Sequence, residues 1–326
     1  MKLSDVGERA LVELARRVFK QGPNVRVGIG DDAAAIDING MCLIATTDML
    51  IASSHFPPGT TPEQMGRKAV TVNLSDLAAM GAEPLGLIFS VALPRELDVE
   101  FVEWMVKGMN IAAREYGTYV VGGDLDESGE IIISGAAFGL AHRKRLLRRS
   151  GAREGDFVAV TGRLGAASSG LKLLLEKLPA EGYQALIKAQ LEPPARVKEG
   201  VSLARSGVVT AAIDVTDGLA ANLWQLARES KVKIVIDRDR VPEHPLVIKF
   251  ATQHGFNIDD FVLFGGEDFE LLFTVRQRGW GKVRRALERV GTTATKIGRV
   301  QRGSGVFIRV RKETRPLPDR GYEHFR

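Results

Sequence analysis

The chain has 326 residues, 44% of them hydrophobic and 26% charged, with a net charge of +5 and a pI near 9.3. That length gives one large or two medium domains an ample core, and the composition excludes a disordered or low-complexity protein. A single cysteine, Cys42, excludes an intramolecular disulfide and a cysteine-based zinc cluster, and its place in the apolar run MCLIA makes it a core residue. The N-terminus, MKLSDVGERALVELARR, is amphipathic and charged, without the continuous apolar stretch of a signal peptide or membrane span. These features predict a cytoplasmic protein that does not enter a membrane.

In chain order, Ser4 is expected to cap a helix running to about Lys20, with Leu11, Leu14 and Val18 on one face and Gly22 as its stop. A Gly/Asp turn, GIGDDAA at 28–34, precedes a strand from Met41 to Thr46. Thr61-Pro62 opens a helix that ends near Gly81. Leu85 to Leu93 reads as a strand, and Asp98 to about Tyr116 as a helix with Phe101, Met105 and Ile111 apolar. Tyr119 to Val121 and Ile131 to Leu140 read as two further strands. Interleaved strands and helices predict an α/β or α+β half.

The basic stretch HRKRLLRRSGAREGD at 142–156 marks a domain boundary, giving domains 1–145 and 146–326. The second half opens with a strand, Phe157 to Thr161, and a helix beginning after Arg163-Leu164-Gly165. Pro179, Pro193 and Pro194 break up a helical region. Val208 to Val215 is a strand and Gly218 to Glu229 a helix. Strands at 232–237, 270–275 and 305–310 complete the pattern.

Five acidic segments lie against apolar runs: Gly30-Asp31-Asp32, Thr46-Thr47-Asp48, Asn73-Leu74-Ser75-Asp76, Gly122-Gly123-Asp124 and Asp214-Val215-Thr216-Asp217-Gly218. A carboxylate at a core edge is costly unless it is paired or binds a cation. Oxygen-only ligands of this kind suit Mg²⁺, which is shared between scattered carboxylates and substrate phosphates. Any one of these Asp residues could equally serve as a turn or helix cap. Asn73 and Asp76, three apart on a helix, project from the same face. Gly28-Ile29-Gly30 resembles the start of a dinucleotide fingerprint, but Asp31-Asp32 and a strand follow where a helix is needed. There is no P-loop and no protein-kinase signature set.

Together these segments resemble the thiamine-monophosphate kinase family. The resemblance rests on GIGDDAA (28–34), TTDML (46–50), His55-Phe56, VNLSDLAAMGAEP (72–84), VVGGD (120–124), RRSGAREGD (148–156), AIDVTDGL (212–219), FGGEDFELLFT (264–274) and GYEHF (321–325). They run in the family's order and span nearly the whole chain. The resemblance implies a two-domain aminoimidazole ribonucleotide synthetase-like α/β (α+β) fold. In it the N-terminal sheet dimerises, the C-terminal domain is α/β, and ATP lies in the cleft between them.

It further implies that Asp32, Thr46, Thr47, Asp48, Asp76, Asp124 and Asp214 coordinate several Mg²⁺ ions and that Asp217 holds another. Gly123, Asp124, Arg149 and Thr216 would contact ATP. His55, Glu267 and Tyr322 would contact thiamine monophosphate. An Arg149 fork suits a phosphate, and the Tyr322 ring with the Glu267 charge suits a cationic thiazolium. One departure is Val106, where the family often carries an aromatic residue near the nucleotide.

The implied reaction is direct in-line transfer from ATP to thiamine monophosphate, giving ADP and thiamine diphosphate in its biosynthesis, by a homodimer and with no covalent nucleophile. The alternative is another ATP-dependent enzyme of the superfamily, such as aminoimidazole ribonucleotide synthetase. Selenophosphate synthetase and hydrogenase maturation factor E need a functional cysteine that Cys42 does not match. A remoter alternative is a non-catalytic nucleic-acid-binding protein. The basic run at 142–153 lacks interleaved aromatics, and five acidic segments oppose a phosphate backbone, so no nucleic-acid partner is expected.

Overall fold

Strands and helices in each half of the chain assemble around one mixed sheet per half. The computed structural model describes residues 2–5 and 7–325. The first half contains α1 (Gly7–Val18), β1 (Val25–Val27), β2 (Ala34–Ile38), β3 (Met41–Ile51), α2 (Ala52–His55), α3 (Pro62–Ala79), β4 (Glu83–Leu93), α4 (Val99–Glu115), β5 (Val120–Glu127) and β6 (Ile132–His142). The second contains β7 (Phe157–Thr161), α5 (Ala166–Leu175), α6 (Gln184–Leu191), α7 (Val197–Ser206), β8 (Val209–Asp214), α8 (Leu219–Ser230) and β9 (Lys233–Asp237). It continues with α9 (Pro245–His254), α10 (Ile258–Val262), β10 (Leu271–Val275), α11 (Trp280–Glu288), β11 (Ala294–Gln301), β12 (Gly305–Val310) and β13 (Glu313–Pro316).

The N-terminal sheet has the order β1-β2-β3-β6-β4-β5, antiparallel except between β4 and β5. The C-terminal sheet has the order β13-β12-β9-β11-β7-β10-β8, antiparallel except between β12 and β9. Strand β3 alternates: Cys42, Ile44 and Leu50 are buried against α3, while Thr47 and Met49 face out. Strand β10 is buried on both faces. Phe273 joins the core that runs through α3 and α4, and Leu272 joins the one built on Leu173, Leu223 and Phe250.

Helix α3 stands between the two sheets and is buried on nearly all sides. Its start follows from sequence. Pro62 sits at the first turn, and Thr61 and Gln64 form a reciprocal capping box. Gly66 allows α4 to cross at backbone distance, because a Cβ there would meet Met105 O at 2.0 Å.

Several expectations need correction. Helix α1 begins at Gly7 and ends at Val18, and Ser4 lies in a 3-10 turn instead of capping it. Its apolar side chains are only partly covered, with Leu14 and Val18 exposed. Polar contacts hold it: Arg9 pairs with Asp319 (2.9 Å) and Arg16 with Glu229 (2.9 Å). Ile111 on α4 is also exposed. Strands β3, β5 and β6 extend beyond the expected limits, and β1, β2, β11, β13, α9, α10 and α11 had no sequence counterpart.

Candidate active site

The acidic segments converge where α3 bridges the two sheets. Asp76, on α3, accepts a hydrogen bond from Thr46 Oγ1 on β3 (2.5 Å). One residue back along α3, Ser75 donates to Asp214 Oδ2 at the end of β8 (2.5 Å). Asp32 arrives from the turn after β1. One carboxylate oxygen from each of Asp32, Asp76 and Asp214 lies within 4.8 Å of the others. Asp48, beside them on β3, donates its amide to Asn73 Oδ1 (3.2 Å). Asn73 and Asp76 therefore share a helix face, as their spacing predicts.

These carboxylates crowd one another in a dry place, and their proton affinities respond. Burial, then the charges of Asp48, Asp214 and Asp32, hold Asp76 well above the usual carboxylate range. Burial, with Asp32, pushes Asp214 up to about 8. Burial also raises Asp32, Asp48 and Asp217, the last to about 6. Asp32 is tied to Arg149, whose Nε (3.1 Å) and Nη2 (2.7 Å) both donate to Oδ1. Burial alone would lower the Arg149 guanidinium, but Asp32 and Asp31 beside it raise it. Asp31 accepts from the Arg149 amide (3.1 Å), pinning the 28–34 turn to the segment between the sheets. The other oxygen of Asp32, Oδ2, is buried without a hydrogen-bond partner.

A buried, unsatisfied carboxylate oxygen beside two more carboxylates fits a hard divalent cation. The donor set is all oxygen: three carboxylates, a fourth nearby on Asp48, and the Thr46 hydroxyl.

Three of the sequence candidates lie elsewhere. Thr47 and Asp124 occupy the opposite face of the N-terminal sheet. Thr47 follows Thr46 on an extended strand, so the two cannot face the same way. Its hydroxyl donates to Gly135 O (2.7 Å). Asp124 sits in an exposed row through the pairs Met49–Ser134, Ser134–Ser90 and Ser90–Asp124. It lies three strand spacings, about 14 Å, from β3. Gly123 lies on the inner face, where a Cβ would meet Phe89 O at 2.1 Å.

The remaining candidates form a second cluster next to the first. Thr216 O accepts from the Glu267 amide (2.8 Å), and Val215 O from the Phe269 amide (2.9 Å). This folds the 264–270 segment onto the loop after β8, with Glu267 and Phe269 at positive φ (64° and 50°). Non-glycine residues held there store strain, which is concentrated at functional sites. The C-terminal tail docks on the same loop. Asp319 pairs with Arg9 and Arg228, and the Tyr322 amide donates to Asp217 O (3.0 Å). His324 then packs tilted against His55, with ring centroids 5.7 Å apart. Burial raises the Tyr322 hydroxyl, and the charges of Glu267, Glu8 and Asp217 add to it. Burial lowers His55, assisted by the Lys68 ammonium.

The sequence reading missed Ser75, Lys68, Gln190, Glu8 and His324. Lys68 carried a usable signal, a charge inside the apolar helical run KAVTVNL. Glu8 carried none, because only the docking of α1 brings it near, and His324 lay in the GYEHF motif without an assigned role.

The profile of the AIR synthase related protein N-terminal domain matches residues 30–141, and that of its C-terminal domain matches residues 153–311. A thiamine-monophosphate kinase of Pyrococcus horikoshii is 39% identical over 300 residues, 91% of each chain. One of Aquifex aeolicus is 36% identical over the full length of both chains. A solved structure described as AaThiL complexed with AMPPCP and TMP superposes with a TM-score of 0.89 at 36% identity, covering 99% of both chains. Escherichia coli HypE, a hydrogenase maturation protein, shares the fold at 22% identity and a TM-score of 0.72.

Proposed function

We infer, for a chain that belongs to the thiamine-monophosphate kinase family, that the Asp32–Asp76–Asp214 cluster is the Mg²⁺-dependent centre of direct phosphoryl transfer. The family's reaction takes ATP and thiamine monophosphate to ADP and thiamine diphosphate. The observation that carries the assignment is the cluster itself, three mutually repelling carboxylates with an unsatisfied oxygen on Asp32. Asp32, Asp76 and Asp214, with Asp48 and Thr46 beside them, would hold Mg²⁺. When bound, it would supply the positive charge that offsets repulsion between the two phosphates.

The chain's own groups do the rest. The acceptor oxygen is already anionic, so no strong base is needed. Arg149, with Thr216 on the loop after β8, would orient the nucleotide phosphates, and Asp217 on the same loop would hold a further Mg²⁺. Tyr322, ringed by Glu267, Glu8 and Asp217, presents an electron-rich face and negative charge to the cationic thiazolium. His55 closes the same pocket. Among the described residues we assign no phosphoenzyme nucleophile: His55 Nδ1 accepts from the Ile51 amide (3.0 Å), and the Asp residues are assigned to the metal. A single displacement inverts a chirally labelled γ-phosphorus. Retention, or an isolable phosphorylated His or Asp that passes its phosphate on, would overturn this route.

Asp124 joins this scheme through a second copy of the chain. It shares its sheet face with Thr47, and that face exposes Met49 and Ile88, with Leu85 and Val121 along the β4–β5 edge. Apolar side chains in that density favour burial against a like surface. We therefore assign a homodimer through this sheet, with Asp124 of one copy serving the nucleotide and metal of the other. The division into 1–145 and 146–326 is retained, with 143–156 as the connector. No helix among the described residues is long and apolar enough to cross a membrane. The need for ATP supports a cytoplasmic setting.

A further inference from the structure

Glu267 is held in an unusual way. Its side chain is about a third exposed, while the cation that pairs with it is almost completely buried. Lys68, on α3, has a side-chain exposure of 1%. Its Nζ lies 2.6 Å from Glu267 Oε1 and 3.1 Å from His55 O, to which it donates. The other carboxylate oxygen of Glu267 accepts from Gln190 Nε2 on α6. Gln190 is itself buried, and its Oε1 has no partner, so the amide is committed to this one contact.

Burying an ammonium is costly, and a hydrophobic side chain of that length would pack on α3 without the cost. The ion pair therefore needs another reason to exist. Glu267 sits at φ 64°, in a segment whose backbone is already strained, and Glu8 and Asp217 also act on the Tyr322 it neighbours. Left alone, a carboxylate there would turn away from other negative charges. Lys68 opposes that. It also fixes the backbone of His55, so one rigid helix sets two sides of the acceptor pocket at once.

We propose that Lys68 is a positioning residue for the acceptor: with Gln190 it fixes the Glu267 carboxylate and the His55 backbone against the substrate's cationic ring. This rests on the acceptor assignment above, in which Glu267 faces that ring. Lys68 touches no substrate and acts through Glu267 and His55. It sets discrimination for a cationic ring rather than the rate of phosphoryl transfer.

The test is steady-state kinetics of the full chain with ATP, Mg²⁺ and two acceptors, thiamine monophosphate and its thiophene isostere with a neutral ring. The wild-type chain should prefer the cation, and Glu267→Gln should erase the preference. Failure of either removes the acceptor assignment and the proposal with it. Lys68→Met should raise KM for thiamine monophosphate about twentyfold, the loss of a charge-assisted contact, and leave KM for ATP within about twofold. It should also bring the ratio of kcat/KM for the two acceptors toward one. If wild type and Glu267→Gln behave as stated but Lys68→Met keeps the wild-type ratio, or loses kcat with both KM values unchanged, the proposal is overturned. Should Lys68→Met fail to fold, Lys68→Met/Glu267→Gln leaves no unpaired buried charge. It should match Glu267→Gln in KM and in the ratio. A further loss of ATP affinity in the double variant would overturn the proposal.

Discussion

Replacing Asp76 by Asn should make the metal-free protein more stable and the enzyme inactive. The carboxylate oxygens of Asp32, Asp76 and Asp214 lie within 4.8 Å of one another. At an effective dielectric constant of about 20, each charged pair at that distance repels by about 3.5 kcal/mol. Asn removes two of the three pairs, a relief of about 7 kcal/mol if all three were charged. Proton uptake by the raised carboxylates already relieves much of it, leaving a gain of about 2 kcal/mol. The Asn carbonyl can still accept from Thr46 Oγ1, so packing is kept. In EDTA the melting temperature should therefore rise by about 4 °C for a chain of this size. Wild type should gain stability as Mg²⁺ is added, and the variant should not. Turnover should fall by about a thousandfold, the scale of losing one element of preorganised charge stabilisation. Calorimetry in EDTA and in Mg²⁺, with a coupled ADP assay, reads all three. A variant less stable than wild type in EDTA, or one with near-normal kcat, would refute the reasoning.

Mixing two inactive variants tests whether Asp124 acts across a dimer. Asp76→Asn and Asp124→Asn chains, unfolded and refolded together, should regain about a quarter of wild-type activity if the residues act in trans, and none if they act in cis. The pH dependence of stability has a definite sign. Asp214 and Asp268 are held at about 8 and about 7, mainly by burial. The native chain therefore keeps protons that the unfolded chain has released. In EDTA, urea-unfolding stability should fall from pH 5 to pH 8 and level off above, and a rise through that window would contradict the assignment. Gly66→Ala should cost about 3 kcal/mol by urea unfolding, since its Cβ would meet backbone at 2.0 Å and α4 must move. A near-neutral effect would mean that this crossing is looser than described.

The sequence was legible wherever the signal was local. Thr61-Pro62 announces α3, and the helix starts there. Asn73 and Asp76 predict a shared face because helical spacing alone sets it. The mixed α/β architecture followed from alternating periodicities. What sequence alone concealed was set by contacts distant along the chain. Leu14 and Val18 looked like a core face, yet α1 is held by Arg9 and Arg16 reaching residues over two hundred positions away. Thr46 and Thr47 read as a pair, and strand alternation separates them onto opposite faces. Strand β13 has no apolar signal because all four of its residues are exposed. Arg149 read as part of a basic run, but it lies half-buried and paired with the buried Asp32.

The most direct test of the central assignment combines ATP, Mg²⁺ and thiamine monophosphate with the purified chain and reads products by mass. A panel of other acceptors, including unphosphorylated thiamine and aminoimidazole-type ribonucleotide precursors, runs beside it. We expect thiamine diphosphate and ADP in equal amounts, abolished by EDTA and by Asp76→Asn, with no product from unphosphorylated thiamine. ATP consumed without thiamine diphosphate, or undiminished transfer in EDTA, would contradict the assignment of the buried carboxylate cluster to metal-dependent phosphoryl transfer.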